Sequence, residues 1–219
     1  MRQPTLPRVS ERLRLTTADG IALEAEIAIP EPATRCGMVL CHPHPQYGGT
    51  MRSIVISALF DALPTRGVTC LRFNFRGVEG SAGTHDFGNL ERVDAESAVD
   101  ALADRLPPGS PLILTGWSFG ADMALSVRDE GVTAWMAIAP PLASLHDVDG
   151  LATDPRPKLL ALAQHDEYRD PDEITKITES WANTDVHVVG GASHFFMGRT
   201  DRLVELASGY VDRLTYETE

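Results

Sequence analysis

Apolar side chains recur along this chain at two different periods, and the switches between them mark its elements. Val9 to Thr16 and Ile21 to Ile29 read as extended segments on either side of Thr17-Ala18-Asp19-Gly20, whose Asp-Gly step is a hairpin signal. An antiparallel pair is therefore expected to open the fold. After a loop from Pro30 to Arg35, Cys36-Gly37-Met38-Val39-Leu40-Cys41 is a short, continuous apolar run, as expected of a strand covered on both faces. Met51, Ile54, Val55, Ala58 and Leu59 then recur at helical spacing, with Pro64 to Gly67 as the stop. Another strand is expected over Val68 to Phe75, followed by a glycine-rich loop from Arg76 to Gly88.

The alternation continues. A helix with Leu90, Val93, Ala101 and Leu102 turned inward should end at Pro107-Pro108-Gly109, before a strand over Pro111 to Thr115. Ser118 to Val127 reads as a helix with Gly131 beyond its end, and Val132 to Ala139 and Lys158 to Ala163 read as strands. A helix over Ile174 to Trp181, a strand over Val186 to Val189 and a helix carrying Leu203, Ala207, Tyr210 and Val211 complete the pattern. Such alternation predicts an α/β fold: a mainly parallel sheet with helices on both faces, made mixed by the leading hairpin. With 219 residues, 43% of them hydrophobic, and no repeat or linker, residues 1–219 are expected to form a single domain.

Charge narrows the choice of partners. A formal net charge of -12 gives no basic field for nucleic acid or an acidic membrane surface. No stretch approaches the roughly 20 apolar residues of a membrane span, and the N-terminal MRQPTLPRVSERLRL carries prolines and charges where a leader needs an apolar segment. Cys36, Cys41 and Cys70 are odd in number and lie in or beside apolar runs, which fits buried thiols in a reducing cytoplasm.

Gly116-Trp117-Ser118-Phe119-Gly120 follows an apolar strand directly and opens a helix. A nucleophile on so sharp a turn needs glycine two positions to either side, and the helix N-terminus favours developing negative charge. The bland alternative for Ser118 is a helix cap. A base is expected from Gly190-Gly191-Ala192-Ser193-His194, at the C-terminal edge of the sheet, and His194 fits better than His187 within a strand or His85 and His146 in polar loops. Asp166, just after the strand ending at Ala163, falls between nucleophile and base in the chain and would orient the imidazole, with Glu167 and Asp170 as rivals in the same loop.

Phe119 N–H is one expected oxyanion donor. The second should come from His42-Pro43-His44-Pro45-Gln46-Tyr47, where the prolines have no N–H, leaving His44, Gln46 or Tyr47. Gly48-Gly49 would let this backbone approach closely. Cys41, His42 and His44 also permit a metal reading, but without a matched second cluster no metal is expected. Trp117, Tyr47 and Phe195 are expected to wall the substrate pocket, joined by Phe119, Phe196 and Met197.

His42-Pro43-His44-Pro45 with Gly48-Gly49, Phe73-Asn74-Phe75-Arg76-Gly77 and Gly116 to Gly120 together resemble the α/β-hydrolase superfamily, in its small, lidless, esterase-like serine-hydrolase group. The resemblance covers nearly the whole chain. It implies a Ser118-Asp166-His194 triad and a structural loop tied by Arg76, although Glu79 stands where related loops often have glycine. Pro140 to Pro157 leaves no room for a helical cap. The expected activity is hydrolysis of a short or medium carboxylic ester without a cofactor. An acyl-thioesterase of the same mechanism and a non-catalytic binding scaffold are the alternatives, and a monomer and a homodimer both fit.

Overall fold

The computed structural model describes residues 8–31 and 33–216. Residues 1–7 of the N-terminal segment MRQPTLPRVSERLRL, where no leader is expected, therefore lie outside the described residues, as does position 32 of the loop expected from Pro30 to Arg35. The hairpin is present: β1 (Arg8–Thr16) and β2 (Ala22–Pro30) pair antiparallel, and Gly20 closes the turn at φ 84°. The sheet continues through β3 (Cys36–Cys41), β4 (Val68–Phe73), β5 (Leu112–Trp117), β6 (Ala134–Ile138), β7 (Lys158–His165) and β8 (Thr184–Ser193). Its order is β1-β2-β4-β3-β5-β6-β7-β8, antiparallel as far as β4 and parallel beyond.

Continuous apolar strands serve two cores at once, because successive side chains point to opposite faces. In β3, Met38 and Leu40 join the core under α1 (Ile54–Ala62) and α6 (Thr200–Tyr216), whereas Val39 and Cys41 face the opposite core. That second core is covered by α2 (Glu91–Ala103), α3 (Phe119–Ser126), α4 (Val148–Thr153) and α5 (Pro171–Thr178). Trp135 is its largest fully buried side chain.

Three local expectations change. Met51 is buried but precedes α1 rather than opening it. On α2 the inward face is Glu91, Asp94, Ala95, Ala98, Val99 and Leu102, while Leu90 is exposed and Val93 half-buried. Two carboxylates can occupy that face because both are paired: Glu91 accepts from the N–H groups of Asp86 and Gly88, and Asp94 from Arg76. The stretch from Pro140 to Pro157 contains α4, six residues capped by the Asp147 side chain, and this short helix is no cap domain. Among the described residues no helix is long and apolar enough to cross a membrane.

Candidate active site

Parallel pairing sets the positions of the site residues. Gly116 of β5 lies opposite Cys41 of β3, and the chain turns sharply at Ser118, held by donation from its N–H to Ile138 O at 2.8 Å. Ser118 has φ 54° and ψ -124°, a strained backbone for a residue with a Cβ. Both flanking glycines are sterically required. A Cβ on Gly116 would stand 2.0 Å from Gly120 O, and one on Gly120 would stand 2.3 Å from Cys41 O.

The candidate acid and base come from neighbouring strand ends. His165 pairs with Ser193 beyond a register shift in β7, so the next residue on each strand, Asp166 and His194, is delivered to one place. His194 Nδ1 lies 2.8 Å from Asp166 Oδ2, and its Nε2 lies 3.0 Å from Ser118 Oγ. Burial pushes the Asp166 carboxyl up, but the His194 bond and the N–H groups of Tyr168 and Arg169 outweigh it and hold it below its ordinary range. The rival acids have other work: Glu167 accepts from His194 N–H at 3.0 Å, and Asp170 caps α5 through Asp172 N–H. Trp117 donates its indole N–H to His194 O at 3.1 Å, fixing the base loop from the far side.

The loop after β3 narrows the choice of second donor. Gln46 N–H is taken by the His44 side chain and Tyr47 N–H by His44 O, which leaves His44 of the three. Gly48 adopts φ 80° to end the 3-10 turn Pro45–Tyr47, and a Cβ on Gly49 would meet Pro43 O at 2.0 Å. On the other side, Phe119 is the first residue of α3, where N–H groups lack intrahelical acceptors.

His42 and Cys41 belong to the scaffold. The buried His42 ring donates from Nδ1 to Pro43 O at 2.6 Å and accepts at Nε2 from Phe75 N–H at 3.0 Å, so both nitrogens are used. Burial raises the Cys36 thiol to about 12 and that of Cys41 further. Arg76 ties loops together through Asp94 at 2.6 Å and Asp19 at 2.9 Å. Glu79 adopts φ 46°, the glycine-like conformation, and accepts from Asn74 and Arg52.

Ser118 and His194 open into a cavity of about 680 Å³. Trp117, Tyr47, Phe119 and Phe195 line it, as does Tyr168, which reading the sequence overlooked. Tyr168 packs on His194 with ring centroids 4.6 Å apart, and its position two residues after Asp166 was the available signal. Phe196 does not line the cavity: at φ 50° it turns its ring into the core beneath α6. Met197 is exposed and lies outside the lining.

Fold order, a sharp serine turn and an adjoining Ser-His-Asp constellation define an α/β hydrolase, and the chain belongs to that family, in its lidless group. It is 33% identical over 183 residues to the uncharacterized protein RP471 of Rickettsia prowazekii, covering 79% of this chain and 77% of the relative. A solved α/β serine hydrolase homologue from Coxiella burnetii is 30% identical with a TM-score of 0.82, covering 91% of this chain and 96% of that one. XC6422 of Xanthomonas campestris, described as an α/β serine hydrolase without lid, is 28% identical with a TM-score of 0.82, over 96% and 97% of the two chains. No family model matches the sequence.

Proposed function

We propose that this chain, working as a single domain, hydrolyses carboxylic esters through an acyl-enzyme on Ser118. The observation that carries the reading is the unbroken line from Asp166 through His194 to Ser118 Oγ, at 2.8 and 3.0 Å, opening on a cavity. As Oγ bonds to the ester carbonyl carbon, its proton passes to His194 Nε2. The tetrahedral oxyanion is held by the N–H groups of Phe119 and His44, each worth about 2.7–4 kcal/mol in comparable sites. Collapse breaks the ester C–O bond, and the leaving alcohol takes the proton from Nε2. Water then attacks the acyl-enzyme with His194 again as base, releasing the acid and restoring Ser118. Asp166 fixes the Nδ1–H tautomer throughout. Cys36, Cys41 and Cys70, all buried in the core, favour a reducing cytoplasm as the place of work.

Steady-state hydrolysis of 4-nitrophenyl butyrate tests the assignment. Ser118→Ala is expected to abolish turnover, and Asp166→Asn to lower kcat by about 10³–10⁴ while the fold is retained. Full turnover by Ser118→Ala would refute it.

A further inference from the structure

Two properties of the cavity select among acyl donors. Among the described residues that line it, none is Asp, Glu, Lys or Arg. The arginines next in sequence to lining residues each have a carboxylate partner: Arg52, beside Ser53, pairs with Glu26 and Glu79, and Arg169, beside Tyr168, pairs through one terminal nitrogen with Glu173, its buried Nε having no partner. A groove bearing four carboxylates, Asp166, Glu167, Asp170 and Asp172, against the single cation Arg169 meets the cavity at Tyr168, which lines both. The molecule as a whole carries a net charge of -12. An anionic group entering here gives up water, finds these nearby cations already paired, and moves into a negative field.

The second property is an arrangement of partly exposed rings. Beside His194, the group that returns the proton to the leaving alcohol, Tyr168 and Phe195 stand edge-to-face with centroids 6.0 Å apart, and Trp117 and Phe195 with centroids 6.3 Å apart. Tyr168 is 67% exposed and Phe195 45%, although both are large and apolar. Aromatic rings gain from edge-to-face and offset contacts beyond simple burial, and an aliphatic ring of equal size does not share that gain.

We infer that the leaving group is an uncharged aromatic alcohol, seated against the exposed rings of Tyr168 and Phe195, and that anionic acyl carriers, including nucleotide-bearing thioesters, are excluded. The inference rests on the ester-hydrolase reading of the same site. During the step, the ester C–O bond breaks and the aromatic alcohol departs with the proton of His194 Nε2, leaving the acyl group on Ser118.

The test compares kcat/KM of the native protein for benzyl butyrate, cyclohexylmethyl butyrate and 4-carboxybenzyl butyrate, together with butyryl-coenzyme A and its uncharged mimic S-butyryl-N-acetylcysteamine. Benzyl is expected to exceed cyclohexylmethyl at least about threefold, a ratio that Tyr168→Leu and Phe195→Leu each move toward one. The 4-carboxy group is expected to cost at least about tenfold, a loss that shrinks with added salt, and the uncharged thioester should outperform butyryl-coenzyme A by a similar factor. Equal rates for benzyl and cyclohexylmethyl esters, or for neutral and anionic partners, would overturn the inference and leave the hydrolase reading intact. No hydrolysis of any of the five by well-folded protein would overturn both.

Discussion

His42 shows how a single residue ties the site to the scaffold. Its neutral ring satisfies Pro43 O and Phe75 N–H at once, and protonation would set a second N–H against a backbone donor. Burial lowers its pKa from 6.5 to about 4. The unfolded chain takes up this proton at 6.5 and the folded chain refuses it until about 4, so the stabilisation is complete above 6.5 and is lost as pH falls toward 4. Asp122 works in the other direction. Burial raises its carboxyl from 3.8 to about 6 against three backbone hydrogen bonds, so its ionisation weakens the fold as pH rises through that interval. Urea titrations at several pH values check both signs. The stability of native protein relative to His42→Gln should fall as pH drops from 6.5 to about 4, and that relative to Asp122→Asn should fall as pH rises from about 4 to 6, each on the order of 2–3 kcal/mol. A pH-independent difference for either pair would refute that assignment.

Among elements, α3 carries two parts of the site at once. Its N-terminus presents Phe119 beside Ser118, and one turn further on Asp122 accepts from the N–H groups of Leu142, Ala143 and Ser144 at 2.8–2.9 Å. Ala143 and Ser144 wall the cavity, so α3 sets the proposed nucleophile and the wall from one rigid body. Asp122→Asn is expected to raise KM for butyrate esters severalfold more than it lowers kcat, measured by steady-state kinetics, because the wall loosens while Ser118, His194 and Asp166 keep their contacts. An unchanged KM would contradict this role. Asp122 was not legible in the sequence, since an acidic residue within an otherwise apolar helix reads as solvated until the loop that buries it is known. The same limit applied to α2, where apolar periodicity favoured Leu90 and Val93 although paired Glu91 and Asp94 face inward. What periodicity did reveal is what depends on local chemistry alone: continuous apolar strands, the Asp-Gly hairpin, and the two glycines around Ser118. Tyr168 and Phe196 depended on backbone direction at single positions, which a residue string does not encode.

For the whole molecule, the parallel half of the sheet brings together residues from three strand ends, and the absence of a lid in XC6422 agrees with the short stretch between β6 and β7 here. The cavity is walled by loops and by the ends of α1, α3 and β5, and Tyr47 on its wall is 87% exposed. This architecture is expected to activate Ser118. Intact mass after exposure to a fluorophosphonate at neutral pH, comparing native protein with Ser118→Ala and His194→Ala, tests it without reference to any natural substrate. One adduct is expected on the native protein and none on either variant. A folded native protein that takes no adduct, or an adduct that survives in Ser118→Ala, would contradict it.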